Sequence, residues 1–92
     1  MIGFVELEFR IHDAHSLKDK RAVLQRTLTR VRQKFNLSAA ETGHQDVWQL
    51  SNISLVTVSN SHQSAERELE RAIKFLDTFP EWERVKTEYE WL

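Results

Sequence analysis

A chain of 92 residues with 13 Lys or Arg against 14 Asp or Glu has the size of one domain and a formal charge of -1. It has no cysteine, which excludes disulfides and thiolate metal sites, and its 40% hydrophobic and 29% charged residues are the balance of a folded domain, not of a disordered chain. No run reaches the roughly 18 consecutive apolar residues of a membrane span, and no secretory pattern opens the chain, so a cytoplasmic location without membrane contact is expected.

From Ile2 to His12, Val5, Leu7, Phe9 and Ile11 alternate with Glu6, Glu8, Arg10 and His12, the period of a half-buried strand. After the HDAH turn, Ser16 stands where an N-cap belongs, with Asp19 three residues on. Leu17, Leu24, Leu28, Val31 and Phe35 then form one stripe of a helix that Asn36 ends. Residues 37–43, LSAAETG, read as a weak second strand, and HQDVW turns into a third running from Gln49 to Ser59. Ile53 and Leu55 lie on one side of that third strand and Val56 and Val58 on the other, so it calls for cover on both faces. Asn60 is the expected cap of a second helix, with Gln63 at the capping-box position. Its buried stripe is Ala65, Leu69, Ala72, Ile73, Leu76 and Phe79, and Pro80 stops it. Val85, Thr87, Tyr89 and Trp91, alternating with Lys86, Glu88 and Glu90, give a last strand.

The order βαββαβ with right-handed crossovers predicts an α+β, ferredoxin-like domain spanning 1–92: a four-stranded antiparallel sheet, order 4-1-3-2, with both helices on one face.

The three blocks SLKDKR (Ser16 to Arg21), HQDVWQ (His44 to Gln49) and VSN (Val58 to Asn60) resemble the YlxP-like bacterial family, domain of unknown function 503, over nearly the whole chain. The resemblance implies the same ferredoxin-like fold and no particular reaction. Its members are commonly encoded beside translation-initiation and ribosome-maturation factors, which implies a place near ribosomes or RNA.

The functional expectation rests on charge segregation. Residues 16–34 carry Lys18, Lys20, Arg21, Arg26, Arg30, Arg32 and Lys34 against the single Asp19, a helix face suited to nucleic-acid phosphates. Glu66, Glu68 and Glu70 on the second helix are positioned to balance part of this charge. On the open sheet face Glu6, Glu8, Glu88 and Glu90 repel phosphate, so RNA is expected at the helices, not at the sheet.

In HQDVWQ, His44, Gln45, Asp46 and Gln49 are read as a self-bonding turn that pins Trp48 into the core; Ser16, Ser59 and Asn60 are the other family-motif positions. No nucleophile or oxyanion cradle accompanies His44, and HDAHSLKDKR lacks the glycines of an acylphosphatase loop, so no catalytic residue is assigned. The His12, Asp13 and His15 cluster is too sparse for a metal assignment, and no cofactor is implied. Expected partners are RNA or a ribosome; the alternative is a homodimeric interaction module using strand 37–43 or the open sheet face.

Overall fold

Apolar alternation makes Ile2–Ile11 the first strand, β1, in a computed structural model that describes residues 1–92. It is followed by α1 (Leu17–Lys34), β2 (Ser38–Gly43), β3 (Leu50–Val58), α2 (His62–Leu76) and β4 (Trp82–Trp91). All three strand pairings are antiparallel, and the order β2-β3-β1-β4 is the predicted 4-1-3-2 read from the other edge. Val5, Leu7 and Phe9 of β1 with Ile53 and Leu55 of β3 present one apolar face. Leu24, Leu28 and Val31 of α1 and Leu69, Ala72, Ile73 and Leu76 of α2 pack on it. This is the ferredoxin-like arrangement.

Helix ends follow local hydrogen bonding. Ser16 Oγ accepts from Asp19 N at 3.1 Å while Asp19 Oδ2 accepts from His15 N at 3.1 Å, a reciprocal box that fixes the start of α1. The cap of α2 is Ser61, whose hydroxyl accepts from Ser64 N at 3.1 Å; Asn60 lies one residue outside, so the expected Asn60 and Gln63 box is not formed. Nor does Pro80 stop α2. The helix already ends at Leu76, and Phe79, although buried, lies in the turn beyond it. There Trp82 Nε1 donates to Leu76 O at 2.8 Å and its ring stacks on Phe9 at 3.9 Å. Trp82 thereby closes the core and starts β4 three residues before the sequence pattern does.

The alternation in β4 also breaks. Glu8 pairs with Lys86 and Phe9 with Arg84, so Val85 is a bulge residue that faces solvent, not the helices. Farther along β4, the Trp91 ring lies over Gly3, where a Cβ would come within 2.7 Å of it. No helix is long and apolar enough to cross a membrane.

Candidate nucleic-acid interface

The basic run does form the first helix, but its seven cations separate into different environments. Lys20 is not on the surface at all: it is 1% exposed. Its ammonium donates to the backbone carbonyls of His44 and, at 2.7 Å, Val47, and ion-pairs with Glu41 at 2.8 Å. Glu41 in turn accepts from Ser51 Oγ at 2.7 Å. Lys20 is therefore withdrawn from the phosphate-binding set, since an ammonium with three protein acceptors has no donor left for a ligand. The signal was present in the spacing, because Lys20 falls on the buried stripe between Leu17 and Leu24.

Arg26 pairs with Glu81, leaving Glu81 Oε1 buried without a hydrogen-bond partner. Arg32 donates through Nε and Nη2 to Ala39 O at 3.1 and 2.6 Å, so its guanidinium covers part of β2. Lys18, Arg21, Arg30 and Lys34 are exposed and make no ion pair.

The expected balancing by α2 is absent. Glu68 instead accepts from Asn36 N at 2.7 Å, and no carboxylate of α2 pairs with α1. What α2 contributes is more cation. Arg71 lies 5.9 Å from the Phe35 ring centre, Lys34 4.7 Å from that of Phe75, and Arg30 5.9 Å from that of Phe79. Lys34, Phe35, Arg71, Lys74, Phe75 and Thr78 line a notch of about 350 Å³ between the helices. Of the 13 Lys and Arg, the eight without an ion pair are Lys18, Arg21, Arg30, Arg32 and Lys34 on α1 and Arg67, Arg71 and Lys74 on α2. Sequence reasoning confined to α1 missed the last three, because their own helix also carries Glu66, Glu68 and Glu70 and reads as balanced.

The sheet's far face has the opposite sign. Glu6, Glu8 and Phe4 of β1 oppose Glu88, Lys86 and Glu90 of β4 in register. Lys86 pairs with Glu88 at 3.1 Å, and its ammonium is held charged above the ordinary lysine range by the hydrogen bond and charge of Glu88, with Glu8 and Glu6 adding to it. Nearer the α2 side of β4, burial followed by the charge of Glu70 pushes the Tyr89 hydroxyl upward.

A family model described as protein of unknown function (DUF503) matches residues 2–89. The chain belongs to the DUF503 family. It is also 54% identical over 91 residues, 99% of each chain, to the protein named "Uncharacterized protein YlxP" of Bacillus subtilis (strain 168).

Two of the three blocks that carry the resemblance to DUF503 meet in space through Lys20. The 44–47 turn begins at His44 in a left-handed conformation, φ 57°, and is closed by Val47 N donating to His44 O at 3.1 Å. Gln45 reaches back to Glu41 O at 3.4 Å, and His44 Nε2 lies 3.4 Å from Glu8 Oε1. Asp46 and Gln49 are exposed. So is Trp48: it is 48% exposed, with Val47 beside it at 41%. The expectation that Trp48 anchors the turn in the core is overturned; the turn is held by its carbonyls on Lys20, which frees the indole from any anchoring duty. The third block sits at the other end of the strands, where Ser59 N donates to Met1 O at 3.0 Å and Asn60 is exposed. His12, Asp13 and His15 are exposed near the start of α1, and no group of three His, Asp or Glu side chains comes together as a cation cage.

Proposed function

We propose that this DUF503 protein is a non-catalytic accessory domain that binds RNA, free or in a ribosome, by its phosphate backbone across the outer surface of α1 and α2. One observation carries the reading: every Lys and Arg without an ion pair lies on the two helices, while the opposite sheet face is acidic. Unpaired cations on rigid rods release counterions when they meet phosphates, and carboxylates on the reverse face orient the encounter. Phe75 and Phe35 in the inter-helix notch lie against Lys34 and Arg71, and Phe79 in the turn beyond α2 lies against Arg30, contacts that leave the cations un-neutralised.

The test is fluorescence anisotropy with a short labelled single-stranded RNA over a range of salt. Each phosphate neutralised contributes about 0.7 to the slope of log affinity against log salt. The triple variant Arg30→Glu, Lys34→Glu and Arg71→Glu is expected to lose at least ~100-fold in affinity at low salt and to flatten the slope by about 2. Unchanged binding in that variant, or no binding by the parent protein at low salt, refutes the reading. The homodimeric alternative, through strand 37–43 or the open sheet face, is separated from this reading by the same titration, since it predicts no salt-dependent RNA binding.

A further inference from the structure

The open sheet face divides lengthwise into two unlike halves. Over β2 and β3, Ser38, Ala40, Ser54 and Val56 together with Phe4 line an apolar trough of about 430 Å³, and Val58 beyond it is 64% exposed. Over β1 and β4 runs a stripe of carboxylates. Its centre is a like-charge pair, Glu6 directly across the ladder from Glu88, which costs stability wherever no cation relieves it. The basic groups beside the stripe are already engaged: Lys86 by Glu88, Arg10 at the end of β1 by Glu83, and the His44 ring 3.4 Å from Glu8. Glu6 borders the trough as well, so trough and stripe are one continuous surface.

We propose that this face docks an amphipathic, lysine- or arginine-bearing helix of another protein, its apolar ridge in the trough and its cations along Glu6, Glu88 and Glu90. The chemistry of the surface selects this occupant. Phosphates are repelled by the stripe. A second copy presenting its own sheet face brings four more carboxylates to the same interface. A second copy presenting its helices offers exposed positions such as Arg21, Gln25, Thr29 and Gln33, which supply no apolar ridge for the trough. β1 and β3 are 10 and 9 residues long, about 30 Å at ~3.3 Å per residue. A helix of about 18 residues, ~27 Å long, covers that length.

The probe is a synthetic helical peptide of about that length with leucines along one edge and lysines along the next, paired with a counterpart carrying glutamates in place of the lysines. In amide chemical-shift titrations of the isotope-labelled protein, the lysine peptide is expected to move the resonances of Phe4, Glu6, Ser54 and Val56, and the glutamate peptide to leave them in place. Glu6→Gln with Glu88→Gln removes the internal repulsion together with the exposed Lys86–Glu88 pair, which is worth little at the surface; checked for folding by circular dichroism, it should weaken the lysine peptide at least ~5-fold. Val56→Arg, checked for folding by circular dichroism, should abolish binding. The proposal is overturned if the lysine peptide leaves this face unmoved or if both peptides move it equally. It also fails if the double glutamine variant binds as well as the parent, if RNA shifts these amides, or if the protein sediments as a dimer that Val56→Arg dissociates.

Discussion

Lys20 stands four residues before Leu24 and three after Leu17, and this spacing, not its charge, decides where it goes. A lysine carried into the core needs an acceptor for each of its donors, and Glu41 and the carbonyls of His44 and Val47 supply them. Removing one partner strands the other. Lys20→Met is expected to destabilise the fold by about 3 kcal/mol, read from the midpoint of denaturant unfolding, because it leaves a largely buried carboxylate without its cation. Adding Glu41→Gln to that variant should restore at least about 1 kcal/mol; strictly additive losses would show that the pair is not coupled. At this scale the sequence was partly legible. The cap at Ser16 and the core positions of β1 follow from local pattern alone. The partners of Lys20 lie more than 20 residues away, and no local rule reaches them.

Among the elements, the helices and strands stand where periodicity puts them, and the departures occur where tertiary contacts override it. Trp82 begins β4 early because its indole N–H finds Leu76 O and its ring finds Phe9. Val85 leaves the alternation because a bulge accommodates Arg84 opposite Phe9, where the guanidinium pairs with Asp77 at 2.9 Å. The 44–49 segment is the largest departure: an aromatic residue inside a motif invites a core role, yet backbone carbonyls hold the turn. Trp48→Ala is therefore expected to cost less than about 1 kcal/mol, against the ~3–5 kcal/mol of a buried tryptophan. A thermal melt or denaturant midpoint decides between the two values.

Over the whole molecule, the net charge of -1 conceals two fields of opposite sign. The smallest Cα extent is 16 Å, and the charged side chains project beyond it. The Debye length is about 8 Å at physiological salt and about 30 Å at 0.01 M, so the faces act separately in the first condition and oppose one another in the second. Glu6→Gln with Glu88→Gln should raise RNA affinity in 0.01 M salt and leave it unchanged in about 0.15 M. An equal gain in both would place the RNA on the sheet face. This segregation was legible from the strand alternation and the basic run; the share contributed by α2 was not, because pairing depends on which side chains meet, and its glutamates turn elsewhere. The burial of Lys20 carries a consequence for divergence within DUF503. Positions 20 and 41 are tied by one buried ion pair: a relative that trades the lysine for an apolar residue is expected to carry a neutral residue at 41 and a different turn at 44–47. Those distant positions are expected to change together, although no local pattern in the chain links them.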